Sequence, residues 1–129
     1  MDDWLGRRAR THTERPALIT GDGTVNYARL DAGATRGARR LAALGVGEGE
    51  RVATTLPPGR DFAELLHALA RLGASLVPLN TRLTAAERRW QVADCGARLV
   101  LEEPLRGEEA DVELRQRIDP GAEWALIYT

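Results

Sequence analysis

Residues 51–79 read RVATTLPPGRDFAELLHALARLGASLVPL, and this stretch decides the fold. An apolar run over residues 51–56 ends at Pro57-Pro58, apolar side chains then recur at helical spacing over residues 61–72, and residues 74–79 form a second apolar run. This order predicts a strand, a helix and a second strand. The two strands are expected to be parallel, because a helix-length connection cannot join antiparallel neighbours as compactly as a turn can.

The same alternation continues toward the carboxyl terminus. The TAAE run at residues 84–87 is typical of a capping box and predicts a helix through Ala93, and residues 98–101 predict another strand. Residues 102–120 are polar and predict a surface loop with a short helix, and the ending WALIYT, residues 124–129, predicts a buried strand. The fold class is therefore α/β with a parallel sheet.

The amino-terminal part predicts a short helix over residues 3–10, then a short β-hairpin. Its strands, residues 17–20 and 24–27, flank Gly21-Asp22-Gly23. A long helix follows and ends at Gly45. The apolar stripe of that helix consists of Leu30, Ala34, Gly37, Leu41 and Leu44.

Parallel α/β sheets bind ligands beyond the carboxyl ends of their strands. That rule places Thr54-Thr55, Pro78-Leu79-Asn80 and Tyr128-Thr129 on the rim where chemistry is expected. An apolar strand that ends in a small hydroxylated residue also commonly leads into a phosphate-binding turn. The sequence therefore predicts that the strand ending at Thr129 stops where a functional loop begins.

Composition excludes several function classes. The net charge of −1 provides no field that would attract nucleic acid or anionic lipid, and all 18 basic residues are Arg, which excludes lysine chemistry from this segment. No apolar run is long enough to span a bilayer, and the first residues lack a basic region followed by an apolar one. The single cysteine, Cys95, cannot form an internal disulfide. These features predict a cytoplasmic protein.

Several segments carry a family resemblance. They are Asp3-Trp4-Leu5, Arg8-Ala9, Arg15-Pro16-Ala17-Leu18, Tyr27-Ala28-Arg29-Leu30, Leu44-Gly45-Val46, Gly49-Glu50-Arg51-Val52, Pro78-Leu79-Asn80-Thr81-Arg82-Leu83-Thr84-Ala85-Ala86-Glu87 and Ala125-Leu126-Ile127-Tyr128-Thr129. In order and spacing they resemble the start of an adenylate-forming acyl-CoA ligase, and the opening is most similar to o-succinylbenzoate:CoA ligases. The resemblance implies that residues 1–129 are the amino-terminal part of the large AMP-binding domain. In that family Tyr-Thr continues into Ser-Gly-Thr-Thr-Gly-x-Pro-Lys-Gly, the ATP phosphate loop.

The resemblance implies a two-step reaction, in which a carboxylate and ATP give an acyl-adenylate and coenzyme A then displaces AMP. Mg2+ would neutralise the phosphates, and the carboxylate would be the o-succinylbenzoate of menaquinone biosynthesis or a fatty acid. Thr129 is the position that carries over from the ATP-binding motif, with Tyr128 positioning it. No catalytic residue or metal ligand carries over, so the segment alone is expected to be inactive. Arg82 is a weaker candidate for an anion contact, against a salt bridge or a solvated side chain.

Other polar residues are better explained by structure than by chemistry. The glycines of residues 45–49 follow a helix and precede a strand, the reverse of the order that phosphate binding requires. His67 shares one side of its helix with Arg71 and is expected to be solvated. His12 has no metal-ligand partner, and Cys95 is expected to be a small residue near a helix end.

Two further surfaces are also explained by structure. Arg29, Arg36, Arg39 and Arg40 predict a solvated helix face, because no aromatic residue lies among them for base stacking. Trp90 with Ala86 and Ala93 predicts a core stripe. Trp4 is expected to fasten the first helix to the domain.

One alternative from a different class stays open: a stand-alone noncatalytic α/β module that binds a nucleotide, a partner or a second copy of itself. Without neighbouring segments the terminal strand would leave an apolar surface and an unpaired edge exposed, which predicts poor solubility or self-association as a homo-oligomer. A finished module would need polar cover there, so the sequence favours the fragment of a ligase.

Overall fold

A computed structural model describes residues 3–20, 23–115, 121 and 123–128. The helices are α1 (Trp4–Thr11), α2 (Tyr27–Ala43), α3 (Arg60–Leu72) and α4 (Ala85–Cys95). The strands are β1 (Pro16–Thr20), β2 (Gly23–Asn26), β3 (Arg51–Thr54), β4 (Ser75–Pro78) and β5 (Leu99–Leu101). The predicted alternation of strands and helices and the α/β fold class are confirmed.

The main sheet has the order β4-β3-β5, and both pairs are parallel. Residues 123–128 lie on the outer side of β4. They pair with it at one parallel bridge, between Leu76 and Ala125. β1 and β2 form the predicted antiparallel hairpin, whose turn residues Gly21 and Asp22 lie outside the described part of the chain.

Helices cover both faces of this sheet. On one face α2 and α3 pack over Val52 and Leu76, and on the other α4 packs over Ala53 and Val77. Small residues let α2 and α3 approach closely, since a Cβ built at Gly37 would lie only 3.3 Å from the Cβ of Ala68. The sheet is therefore buried between two helical layers. The ends of its strands are left uncovered by these helices.

The prediction for the charged side of α3 is wrong. Arg71 is only 4% exposed, and His67 is half-buried and stacked on the Trp4 ring. Arg71 donates from Nε to Asp3 at 2.8 Å and from Nη2 to Asp31 at 2.5 Å. The beginning of α1 and the side of α2 cover this side of α3, so it is a buried ionic contact. Trp4 does fasten α1 to the domain, as predicted.

The predicted apolar stripe of α4 is also wrong. Trp90 is 62% exposed, and Ala86 and Ala93 are exposed as well. The sheet contacts Val92 and Cys95 instead. Successive helical residues are about 100° apart, so Trp90 lies on the opposite side of α4 from Val92.

Smaller differences concern the ends of elements. Leu44 is 46% exposed, because α2 ends at Ala43 and Leu44 lies in the following turn. Residues 102–115 contain no helix. Arg40 is half-buried, not solvated, and donates to the Leu105 carbonyl at 3.2 Å. The glycine-rich residues 45–49 form the predicted helix-to-strand connection.

The terminal segment has the predicted direction but not the predicted burial. Ile127 is 68% exposed and Ala125 is exposed, whereas Leu126 and Tyr128 pack toward α4. Only one of its two faces is therefore covered. In addition, among the described residues no strand pairs with the outer edge of this segment.

Candidate functional site

The carboxyl ends of the parallel strands lie level at one edge of the sheet. Thr54 pairs with Pro78 on one side and with Leu101 on the other. The segments that follow these strands therefore leave from the same edge, and residues 123–128 run toward it because their bridge to β4 is parallel. This edge is the candidate functional site, as the topology predicted.

Thr54 holds this edge together. Its side chain is buried, its hydroxyl donates to the Leu101 carbonyl at 2.8 Å, and the same oxygen accepts from the Leu56 N–H at 3.0 Å. The Thr54 carbonyl accepts from the Leu79 N–H at 2.8 Å. Because the hydroxyl proton is engaged inside the sheet, Thr54 has a structural role at the rim.

The loop after β4 is closed by its own side chains. The Asn80 amide oxygen accepts from the Arg82 N–H at 2.9 Å, which forms a tight polar turn. Arg88 donates to the carbonyls of Thr81 and Leu83 at 3.2 and 3.0 Å. The Arg82 side chain is exposed and has no ion pair within the described part of the chain. Its contact with an anion stays a prediction.

The Tyr128 phenol is hydrogen-bonded to the last turn of α4. The hydroxyl donates to Asp94 Oδ2 at 2.6 Å and lies 3.3 Å from the Gln91 carbonyl. The Trp90 ring meets the Tyr128 ring edge-on, with centroids 6.2 Å apart. The hydrogen bond to Asp94 raises the pKa of Tyr128 from its ordinary value of 10 to about 12. The phenol therefore ties the terminal segment to the last turn of α4.

A second side-chain contact fixes the other end of the segment. The Glu123 carboxylate accepts from Arg51 at 2.7 and 3.0 Å and also from the Ser75 hydroxyl. Arg51 in turn donates to the Cys95 carbonyl at 3.1 Å. The hydrogen bonds from Arg51 and then Ser75 lower the pKa of Glu123 to about 2. Residues 123–128 are thus held at both ends by side chains.

A groove of about 540 Å³ opens beside the loop that follows β3. Residues 23–25 of the hairpin and residues 56–61 line it, together with Arg29. The polar lining includes Arg60, whose Nε donates to Glu64 at 2.9 Å. It differs from the mostly apolar pockets that usually bind small molecules.

Several predicted positions can now be placed. Cys95 is buried in the last turn of α4, and His12 Nδ1 lies 2.8 Å from the Thr11 hydroxyl. Within the described residues no cluster of His, Cys, Asp or Glu could hold a metal ion, and no helix is long and apolar enough to cross a membrane. Thr129, the predicted cofactor contact, lies outside the described residues.

Sequence reasoning missed the partners of the terminal segment. Asp94 and Gln91 lie more than thirty positions before Tyr128, and Arg51 lies 72 positions before Glu123. No local pattern in the sequence marks these pairs. Only the parallel packing of residues 123–128 against β4 and α4 brings them together.

Comparison with known proteins identifies what this arrangement is similar to. The family model "AMP-binding enzyme" matches residues 5–125. The 2-succinylbenzoate–CoA ligase of Geobacillus kaustophilus is 36% identical over 100% of this chain. A long-chain-fatty-acid–CoA ligase of Mycobacterium tuberculosis is 37% identical over 76% of it.

Solved structures agree with the sequence relatives. The o-succinylbenzoate coenzyme A synthetase of Bacillus subtilis, in complex with ATP and magnesium ion, superposes on all of this chain with a TM-score of 0.91 and 31% identity. The same enzyme with its acyl-adenylate intermediate gives a TM-score of 0.91 and 30% identity. The chain spans only 30% of the Geobacillus relative and 40% of the ATP-bound structure.

Proposed function

The chain belongs to the AMP-binding enzyme family, and from that premise we propose that it forms the amino-terminal part of an ATP-dependent carboxylate–CoA ligase. Residues 1–129 would then be one part of the large AMP-binding domain, up to the start of the phosphate loop. The proposed reaction has two steps. A substrate carboxylate oxygen attacks the α-phosphorus of ATP and releases pyrophosphate, and the thiolate of coenzyme A then attacks the acyl carbon and releases AMP.

The observation that carries this proposal is the position of residues 123–128. They run parallel to β4 and reach the carboxyl edge of the sheet, and the whole chain superposes on a relative whose structure contains ATP and magnesium ion. A nucleotide at this edge would meet backbone from several strand ends at once.

We assign the nucleotide contact to Thr129, which follows the anchored Tyr128. A threonine hydroxyl is suited to donate a hydrogen bond to a phosphate oxygen. We assign no Mg2+ ligand to this chain, because its described residues contain no suitable cluster.

We propose that its carboxylate is o-succinylbenzoate of menaquinone biosynthesis, and that the protein acts in the cytoplasm. Relatives that cover 100%, 92% and 91% of the chain are 2-succinylbenzoate–CoA ligases. The fatty-acid ligase covers 76%, so a fatty acid is the second candidate.

Two measurements test the proposed function. The first is the intact mass of the protein purified from its source, which we expect to exceed the 14.1 kDa of these residues several-fold. The second is ATP–pyrophosphate exchange by that protein with o-succinylbenzoate, with a long-chain fatty acid as the comparison substrate. Exchange that depends on o-succinylbenzoate supports the proposal, and exchange with the fatty acid alone corrects the substrate.

The alternative of a stand-alone binding module gives a different result. A native mass of 14.1 kDa with no exchange would contradict the ligase and favour the module. Calorimetry of the 129-residue chain with ATP adds an independent check. A dissociation constant tighter than about 1 mM, which corresponds to roughly −4 kcal/mol, would show that this chain alone binds nucleotide.

A further inference from the structure

The outer edge of β5 is an open border of the main sheet. β5 stands at one end of the order β4-β3-β5, and within the part of the chain that the structure describes no strand pairs with its outer side. The Leu101 carbonyl accepts from the Thr55 N–H at 3.1 Å and therefore faces β3. Because the backbone groups of successive strand residues alternate in direction, the N–H and carbonyl of Val100 face outward. They can pair with a further strand.

Apolar side chains adjoin this edge. Val100 pairs with Ala53 on the face of the sheet that α4 covers, but Val100 is 42% exposed, because α4 packs over β3 and β4. Leu44, directly after α2, is exposed as well. Both side chains line an open groove of about 390 Å³ that continues along residues 101–106. A strand added at this edge would cover apolar surface as well as backbone.

The sequence of this edge is self-complementary. Residues 98–102 read RLVLE, so the apolar pattern is the same in both directions and the two ends carry opposite charges. In an antiparallel pair, residues that lie directly opposite each other project on the same face. If Val100 lies opposite Val100 of a second copy, Arg98 of each copy lies opposite Glu102 of the other. One Val–Val contact and two charge pairs then form a symmetrical contact.

The two charged side chains are free to make this contact. Arg98 is exposed, and its Nε lies 3.7 Å from Glu50 Oε2 in an ion pair that is itself exposed and therefore weak. Glu102 is exposed and has no ion pair among the residues that the structure describes. Pairing between two copies would therefore break no buried contact of either copy.

We propose that the outer edge of β5 is a docking surface for a second copy of this chain, which pairs with it antiparallel around Val100. The contact has a two-fold axis and joins the two main sheets into one. The paired stretch is short, so the dimer is weak and depends on protein concentration. It uses the border of the sheet opposite to residues 123–128 and does not depend on the proposed ligase activity.

Charge reversal tests the pairing. The measurement is the mass of the intact protein by analytical ultracentrifugation at about 1 to 300 µM, where the unaltered protein is expected to change from monomer to dimer. Arg98→Glu places two carboxylates opposite each other, and Glu102→Arg places two guanidinium groups opposite each other. Each is expected to raise the dissociation constant of the dimer at least about tenfold. The variant with both changes restores opposite charges and is expected to restore the dimer.

A mixture of the single variants gives a result that a folding defect cannot give. The Arg98→Glu chain carries two acidic residues at this edge, and the Glu102→Arg chain carries two basic ones. An equimolar mixture is expected to form a heterodimer at concentrations at which each variant alone is monomeric.

Two further variants separate the edge from the rest of the surface. Val100→Pro removes the outward N–H without removing a hydrogen bond to β3, so it is expected to abolish the dimer and leave the monomer folded. Arg89→Glu changes an exposed charge on α4 and is the matched control, with no expected change in mass.

Hydrogen exchange identifies the occupant of the edge. The Val100 amide of the unaltered intact protein is expected to become more protected as the protein concentration rises. Protection that does not change with concentration would show that another segment of the same chain covers β5, and it would overturn the proposal. A monomer at every concentration would also overturn it. So would a dimer that is insensitive to the charge reversals, since its contact would lie elsewhere, such as along residues 123–128.

Discussion

Helices α3 and α4 cover opposite faces of one sheet and contradict their hydrophobic patterns in opposite ways. α3 buries a charged side chain, Arg71, whereas α4 exposes its largest apolar side chain, Trp90. α3 is covered by the sheet, α2 and the start of α1, so even its polar side meets protein. α4 meets the sheet through Val92 and Cys95 and touches Tyr128, and most of its other residues are exposed. The number of neighbouring layers, more than residue type, decides which side chains of these helices are buried.

The largest expected loss of stability comes from breaking the buried ionic contact of α3. Arg71→Ala leaves the carboxylates of Asp3 and Asp31 without their cation, and Asp3 is buried. Removing one partner of a buried ion pair costs about 3–5 kcal/mol. We expect a loss of this size in the free energy of unfolding, measured by urea denaturation of the intact protein.

Arg89→Ala is the matched control on α4, because Arg89 is exposed. Its expected effect is below about 0.5 kcal/mol. Equal losses for Arg71→Ala and Arg89→Ala would contradict the buried character of the α3 contact.

A second pair of variants compares apolar side chains on the two helices. Leu69 in α3 is fully buried, and Leu69→Ala is expected to cost about 2–5 kcal/mol through lost burial and a cavity. Trp90→Ala removes a larger side chain from α4 and is expected to cost about 1 kcal/mol, since mainly its edge contact with Tyr128 is lost. Denaturant midpoints measure both. A larger cost at Trp90 would reverse the comparison.

A smaller effect concerns the cap of α4. Because α4 has less burial than α3, it depends more on its ends, and Thr84→Ala is expected to cost about 1 kcal/mol. Thr84→Ser keeps the hydroxyl that accepts from Glu87 and serves as the control. Urea denaturation should show a loss for alanine and almost none for serine. Equal losses would show that the hydroxyl does not stabilise the helix.

The smallest effect is a pH dependence on the buried side of α3. Burial first, and then the charge of Arg71, lowers the pKa of His67. The unfolded chain therefore binds this proton more readily than the folded one. Neutral His67 therefore contributes to folding stability fully above its ordinary pKa of about 6.5. That stability is lost as the pH falls toward the lower pKa of the folded state.

His67→Gln removes this titration. We expect its stability to vary less with pH between about 6.5 and 5 than that of the unaltered protein. Thermal unfolding across this range measures the difference. Identical pH profiles would show that His67 is not desolvated.

Sequence reasoning succeeded where local patterns decide the structure. The β-hairpin, the Thr84 cap and the β3–α3–β4 unit follow from turn residues, capping and periodicity, which act over a few positions. It failed where residues distant in the sequence decide which side chains are buried. Arg71 is buried because Asp3, 68 positions earlier, lies against it. No pattern within α3 carries that information.

The same distinction holds for the candidate site, of which one part could be predicted from the sequence and another could not. Topology alone predicted that Thr54, Pro78 and Tyr128 lie at one edge. The contact between Tyr128 and Asp94 could not be predicted, because it depends on how residues 123–128 are aligned with α4. The prediction for Thr129 stays a prediction.

The strand order has a consequence for how the chain is made. β3 is the first strand of the main sheet to be synthesised, and it lies at the centre. Of the segments that the structure describes, β4 then adds to one edge, β5 to the other, and residues 123–128 follow on the outer side of β4. Within this described part of the sheet, no strand has to enter between two partners that are already paired. The sheet can therefore grow outward as the chain emerges from the ribosome, in the order in which its strands are translated.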